Sequence, residues 1–448
     1  MNEWRKVKIG SIATESKIPD LSPSAERKIR VRLNVNGVEK RPILKEKEGA
    51  TKYYKRKVGQ FIYGRQNFQK GAFGIIPNEL DGFSSSSDLP AFDIDKSCLP
   101  EWLLYWFKTQ NRYEHLIKVA KGVGSQRVST ADFYAVDILL PDLKTQKRII
   151  DIIKLLEIKI KDASDEFFKQ KLYIHRLRQS ILQDAIEGKL TAEWRKQNPV
   201  IKGDPNTDAH ALLEQIKAEK QRLITEGKIK ISKLQESAIE NNLQDLLPPS
   251  WLHPCLAEIT KQVTDGTHQT PSYTTTGRTF LSAQNVKPFR FMPNNHRCVS
   301  ENDYQSYIKS AKAELGDLLI GRVGAGIGET AVVDQNLDFA IYVSLGLIKP
   351  FKDYISSDYL CIIFNSPYGV NYAKGNISSG GGSAGNFNLG RIRSFLIPLP
   401  PLVEQYVIVS KVNQLLAIAD SIEKQLLECK DYAQRLMQAV LKEAFTPT

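Results

Sequence analysis

The chain has 448 residues, 42% of them hydrophobic and 25% charged, with a mean hydropathy of −0.32, enough for two or three domains with separate cores. The opening MNEWRKVKIG has no apolar leader core and no apolar run nears the roughly 20 residues that span a bilayer, so a cytoplasmic protein with no membrane contact is expected. Sixty-two Lys and Arg against 50 Asp and Glu give a net charge of +12, which favours a polyanionic partner.

Residues 1–142 read as a mixed α/β domain of short alternating strand-like runs separated by Gly, Asn and Ser turns. Arg27 to Lys57 carries twelve basic residues against three acidic ones, with Tyr53 and Tyr54 among them. That composition suits a phosphate-tracking surface and equally a solvated loop. The motif GQFIYGR ends at Arg65, and Gln66, Asn67 and Lys70 follow. Arginine can meet guanine in a bidentate pair, and Gln or Asn can meet adenine, although phosphate contacts are the commoner use of such side chains. A glycine-rich loop, KGVGSQRVS, then offers Lys121, Ser125, Gln126 and Arg127 as further DNA-binding candidates.

A long helix is expected in residues 143–200, with Gly188 and the turn EGKL as its stop. Its seam positions, Ile149, Ile153, Leu156, Ile160, Ala163, Phe167, Gln170, Ile174, Leu177 and Ile181, recur at alternating steps of four and three, the heptad pattern of a coiled coil. Residues 201–250 read as a linker with a charged bridging helix. Residues 251–398 then repeat the first domain. GDLLIGR, ending at Arg322, matches GQFIYGR; the loop TDGTHQTPSY offers His268, Gln269 and Thr270; and the glycine-rich SSGGGSAGNFN offers Ser383 and Asn386. Residues 399–448 repeat the long helix without a gap, so that Pro141 meets Pro400, Gln146 meets Gln405 and Leu177 meets Leu436. The second seam includes Ile408, Val412, Leu415, Ile422, Leu426 and Leu436. Each helix needs a partner to bury its seam, and the other copy is the nearest candidate.

Candidate chemistry is sparse. NSPY at Asn365 to Tyr368 has serine where an adenine methyltransferase carries a second-position proline, and reads better as a turn after a helix. The glycines of GRVGAGIGET do not follow the G-x-G-x-x-G spacing of a nucleotide-binding turn. Asp142 with Glu157 and Lys159 imitates a nuclease set, but on a heptad helix. The five cysteines and six histidines are scattered, so no disulfide framework, metal site or catalytic residue is expected.

The order of MNEWRKVKIGSIA, the loop KGVGSQRVS leading to ILLPDLKTQKRI, RLRQSILQDAIEGKLT, DGTHQTPSY and GDLLIGRVG, together with the duplication, resembles the specificity subunits of type I restriction-modification enzymes. The resemblance implies an α+β fold with an internal pseudo-twofold repeat: two similar mixed α/β DNA-target-recognition domains separated by two long helices that form an antiparallel coiled coil. Such a pairing would set Ile149 against Val440 and Ile181 against Ile408. It further implies a non-catalytic subunit in which each domain reads half of a bipartite site in double-stranded DNA. Two modification subunits would dock on the helices, and restriction subunits would join them. S-adenosylmethionine, ATP and Mg would belong to those partners. Two other classes stay open on the residues alone, the DNA-reading part of a fused methyltransferase-nuclease and a coiled-coil scaffold that binds no DNA.

Overall fold

The structure, a computed structural model, describes residues 4–43, 51–118, 127–229, 246–378 and 385–446. The chain divides into two compact units, Met1–Lys169 with Gln425–Thr448, and Gln170–Lys424. The division falls inside both long helices, Leu143–Ile186 and Leu402–Ala444. Each unit therefore holds one mixed α/β domain and a stretch of each helix.

The sequence repeat recurs in the sheets. In the first unit, four antiparallel strands lie in the order Ala13–Ser16, Ala91–Ile94, Phe61–Tyr63, Phe73–Ile75. In the second, the order is Thr260–Asp265, Leu345–Pro350, Leu318–Gly321, Thr330–Val332, again antiparallel throughout. GQFIYGR and GDLLIGR supply the same strand, third in each sheet. Their opening glycines, Gly59 and Gly316, take φ of +82° and +81°, a conformation that costs glycine little and a residue with a Cβ considerably more. The halves diverge outside this frame. The second unit adds a sheet of Tyr273–Thr274, Arg297–Val299, Arg278–Leu281 and Phe339–Ile341. The first carries two-stranded ribbons, Ile29–Val31 with Val38–Lys40 and Tyr53–Lys55 with Ser84–Ser86.

The repeated glutamine has one job in both copies. Gln146 is fully buried; its Oε1 accepts the Leu99 N–H at 2.9 Å, and its Nε2 donates to the carbonyls of Ser97 (2.9 Å) and Pro141 (2.8 Å). Gln405, also fully buried, accepts the Ser356 N–H at 2.9 Å and donates to the Pro400 carbonyl at 3.2 Å. Leu99 and Ser356 are the N-caps of equivalent helices, Pro100–Lys108 and Ser357–Asn365. Each long helix is thereby tied to its own domain through backbone groups that have no water to turn to. Gln146→Ala and Gln405→Ala are expected to cost about 1–3 kcal/mol for each buried group left unpaired, read as a lowered unfolding temperature of the unit that carries the change. Wild-type unfolding in either variant would show that the contact is dispensable.

The structure refines two sequence expectations and corrects a third. The first long helix stops at Ile186, as the glycine stop at Gly188 leads one to expect: Gly188 turns to φ +70°, and a separate short helix, Ala192–Gln197, occupies the rest of the 143–200 segment. The bridging helix, Ala209–Thr225, packs Leu212 and Ile216 into the core of the second unit, both fully buried and one turn apart on one face. The pairing of the long helices is antiparallel, but the register differs from Ile149 against Val440 and Ile181 against Ile408. In the second unit Arg178 reaches Asp420 at 2.5 Å and Glu423 at 2.7 Å, and Lys411 Nζ donates to the Leu190 carbonyl at 2.8 Å. In the first unit Lys430 lies over the Phe167 ring at 4.8 Å, while Leu441 and Phe445 join the core that holds Ile149, Ile150 and Ile153. Both sets of contacts place the facing residues about one heptad further along.

The seam is uneven. Ile149, Ile153, Phe167, Ile174, Ile181, Ile408 and Val412 are buried, and Leu156, Ile160, Leu415 and Leu426 half-buried, but Leu177, Ile422 and Leu436 are 45%, 43% and 42% exposed. A 3.5-residue pattern on a 3.6-residue helix drifts by about 20° per heptad, which carries part of the stripe off the contact line.

Candidate nucleic-acid interface

In the second unit the candidates from three separate stretches meet around a residue that the sequence did not single out. Asp265 ends the edge strand Thr260–Asp265. Arg322, leaving the third strand, is 4% exposed and forms an ion pair with Asp265. The rest of its guanidinium donates to the carbonyls of Phe387 and Val343, each at 3.1 Å, and to Asn386 Oδ1 at 3.4 Å. His268 approaches the same Asp265 carboxylate, Nε2 to Oδ2 at 3.1 Å. Arg322 and Asn386 are thus committed to protein partners, and the base contact expected of Arg322 is replaced by a buried framework role: a desolvated guanidinium is stable only when paired and hydrogen-bonded. Arg393 adjoins this cluster. Its Nη2 donates to the Val263 carbonyl at 2.7 Å, and burial holds its guanidinium below the ordinary range, Asp265 opposing that shift and Arg322 adding to it.

DGTHQTPSY is built on this framework. A Cβ at Gly266 would lie 2.0 Å from the Ile341 carbonyl oxygen, so only glycine passes there. The next residue locks the chain in place: the Thr267 N–H donates to Ile341 O and its carbonyl accepts the Val343 N–H, both at 3.0 Å. Beyond that clamp His268, Gln269 and Thr270 stand exposed.

The edge strand also borders a groove of about 800 Å³ that carries Lys228, Lys261, Lys309, Lys312, Lys349 and Arg393, with Glu314 as a carboxylate among them. Lys349 is tied to Glu314 and Asp317, and Lys228 to Glu226. Lys261, Lys309 and Lys312 form no ion pair among the described residues, and the last two are exposed. Only Lys309 and Lys312 are near neighbours in the chain, and together with Lys261 they form no basic run, so the sequence alone does not single them out.

The first unit builds a looser version. Arg65 lies 3.7 Å from Glu15 on the edge strand Ala13–Ser16 and donates from Nη2 to Thr130 Oγ1 at 3.1 Å; its side chain stays 27% exposed. Gln66 and Lys70 are exposed and Asn67 half-buried. Arg127 is exposed and 3.4 Å from Asp88. Lys121, Ser125, Gln126 and Ser383 lie outside the described residues. The basic stretch from Arg27 is only in part a free surface. Lys28 is 4% exposed with its ammonium 4.3 Å above the Tyr53 ring. Arg56 is 1% exposed, bonded to Ser85 Oγ (2.7 Å) and to the carbonyls of Ser16 (2.7 Å) and Leu89 (3.1 Å), and burial brings its guanidinium down to about 10. Arg30 and Arg32 both pair with Glu39.

The fragments that imitate catalytic motifs have structural roles. Asn365 is buried, exchanging hydrogen bonds with the Thr330 backbone (3.2 and 2.8 Å), and Ser366 caps the helix Pro367–Gly375. Glu157 accepts from Tyr105 Oη at 2.7 Å and Lys108 Nζ at 2.6 Å. Among the described residues no three His, Cys, Asp or Glu converge as metal ligands, and no helix is long and apolar enough to cross a membrane.

Residues 275–429 match the model of the type I restriction modification DNA specificity domain. The chain is 30% identical over 278 residues to the type I restriction enzyme EcoAI specificity subunit of Escherichia coli, covering 60% of this chain and 44% of that one. It is 22% identical over 356 residues to the EcoKI specificity subunit of Escherichia coli strain K12, covering 78% and 66%. These matches span about half to two thirds of the relatives' own length. The fold is shared with a chain of a solved type I R-M system (TM-score 0.61, 18% identity, 99% of this chain and 98% of that one) and with the HsdS subunit from Thermoanaerobacter tengcongensis (TM-score 0.52, 18% identity, 99% and 97%). Over the stretches matched, the chain is similar to the specificity subunits of type I restriction enzymes.

Proposed function

We propose that this chain is the DNA-reading subunit of a type I restriction-modification complex, each domain reading one half of a bipartite duplex site. The observation that carries the reading is the groove of the second unit. Three lysines with no ion pair among the described residues, Lys261, Lys309 and Lys312, line the groove beside the edge strand that leads into the exposed loop of His268, Gln269 and Thr270. Phosphate contacts beside a projecting polar loop are the division of labour of a DNA reader, the first for register and the second for base edges. Arg65, Gln66, Asn67, Lys70, Lys121, Ser125, Gln126 and Arg127 are the corresponding candidates of the first domain, and Ser383 is a further candidate of the second.

The long helices, in this reading, form an antiparallel coiled coil that sets the spacing of the two half-sites and docks two modification subunits. Ile152, Leu155 and Ile158 support the docking role: spaced by three on one helix, they are 50%, 58% and 57% exposed, and such an apolar stripe invites a partner. Methylation and cleavage then belong to the modification and restriction subunits, with their S-adenosylmethionine, ATP and Mg, and this chain supplies no catalytic group.

Salt dependence of duplex binding tests the reading against a scaffold that binds no DNA. The affinity of the full chain should fall steeply as salt rises. The triple substitution Lys261→Ala, Lys309→Ala and Lys312→Ala should flatten the slope of log K against log salt by about 0.9 for each lysine that holds a phosphate. Binding with no salt dependence, or an unchanged slope in the triple variant, would remove the groove from the interface.

A further inference from the structure

The loop that starts at the Gly266 clamp ends at Tyr273, where it borders a cleft of about 290 Å³. Phe280, 3% exposed, lies at its base, with the rings of Tyr273 and Tyr342 each 6.1 Å from it. The Arg297 guanidinium sits 4.3 Å from the centre of the Tyr273 ring. Gln284 and Ser344 complete the polar side. Tyr273 is 46% exposed, and neither Arg297 nor Gln284 spends its side chain on a protein hydrogen bond among the described residues. Ser344 ties the cleft to the buried framework, its Oγ accepting the Ala283 N–H at 3.1 Å and its carbonyl the Arg322 N–H at 2.9 Å.

Aromatic rings with an unspent guanidinium and carboxamide form a receptor for a flat, polar-edged ring. The rings offer stacking, the guanidinium adds cation–π attraction, and Arg and Gln are the side chains that pair in bidentate fashion with purine edges. The volume is at the small end of ligand sites, room for one ring system. A base paired within a duplex shows only its edges in the grooves, so a concave site that stacks on a base face can be filled only by a base out of the stack. We propose that this cleft receives a single nucleobase turned out of the bound duplex, stacked against Tyr273 and read by Arg297 and Gln284. The inference rests on the reading of the chain as a DNA-binding subunit and adds an extrahelical base to it.

Two measurements on the full chain test it. In the first, dAMP, dGMP, dCMP and TMP are each followed by ligand-observed saturation-transfer NMR. At least one should show stronger transfer to its base protons than to its sugar protons. Tyr273→Ala and Arg297→Ala should remove that transfer, Tyr273→Phe should keep it, and deoxyribose 5-phosphate should not compete. Competition by deoxyribose 5-phosphate, or undiminished transfer in Tyr273→Ala, would identify an anion site or a surface cleft and overturn the proposal. In the second, the target duplex is scanned with single abasic positions. One position should weaken binding of the wild-type chain by about tenfold, as loss of one stacked base does, and have no further effect on Tyr273→Ala. Steep salt-dependent duplex binding without that coupling would defeat the extruded base alone and leave the DNA-reading proposal standing. Failure to bind duplex at all would strike that proposal, with the mononucleotide result still deciding what the cleft holds.

Discussion

Deleting one heptad from each long helix at facing positions should change the gap in the recognised DNA site and leave its two halves alike. Ile160, Ala163, Ser164 and Phe167 line one apolar recess with Leu426, Cys429, Lys430, Ala433 and Gln434. Removing Asp162 to Phe168 together with Glu428 to Gln434 therefore takes out matched turns. The four-three steps of both seams survive the cut: Ile160 is followed by Gln170 and Ile174, and Leu426 by Leu436 and Val440. Each helix shortens by about 10 Å, or roughly three base pairs at about 3.4 Å each. Three base pairs also turn the duplex by about 100° at 10–10.5 base pairs per turn, so the variant should either modify the same half-sites across a shorter gap or lose modification. A cut in one helix alone leaves seven residues unmatched and should abolish assembly. Sequencing the methylome of a host that carries the variant with its partner subunits reads the outcome. Full modification at the original gap would show that the helices do not set the spacing.

Asp265→Ala should be the most damaging single substitution in the second unit. It would leave Arg322, 4% exposed, without its carboxylate. Stranding one charge of a buried pair costs about 3–5 kcal/mol, set against a typical total of about 5–15 kcal/mol for a folded protein. For a unit of this size that is a fall of roughly 6–20 °C in unfolding temperature. Removing the cation as well, in Asp265→Ala with Arg322→Met, should recover part of the loss, because no charge is then left buried. Glu15→Ala in the first unit is the control. The Glu15–Arg65 pair is 3.7 Å apart and Arg65 is 27% exposed, so about 0–1 kcal/mol is at stake. Calorimetry of both variants separates the cases, and equal shifts would refute the distinction drawn from burial. The two arginines are thus expected to differ in function: Arg65 keeps an exposed flank that a ligand could reach, whereas Arg322→Ala should weaken binding to every sequence alike by loosening the loop framework.

The duplication was legible because it is written in residues whose roles are local. Gln146 and Gln405 bind backbone next to the helices they secure, Gly59 and Gly316 hold one turn, and FIYG and LLIG form the same buried strand. The heptads likewise announce two long helices that need partners. They do not fix register, because a pattern that repeats every seven residues matches itself equally well one heptad along. That choice is expressed in particular contacts: Phe445 packs on Trp102 at 4.4 Å in the first unit, and Arg178 reaches Asp420 and Glu423 in the second. Nor does the chain reveal which of two arginines after matching strands is free. Arg322 is buried by Asp265, Val343 and Phe387, and Arg65 is left partly open because Glu15 stands further off. The lysine groove and the aromatic cleft were invisible for the same reason. Their members come from several separate stretches, without periodicity or a long run, and only the folding of strands and loops gathers their charge and their rings into surfaces that can meet a ligand.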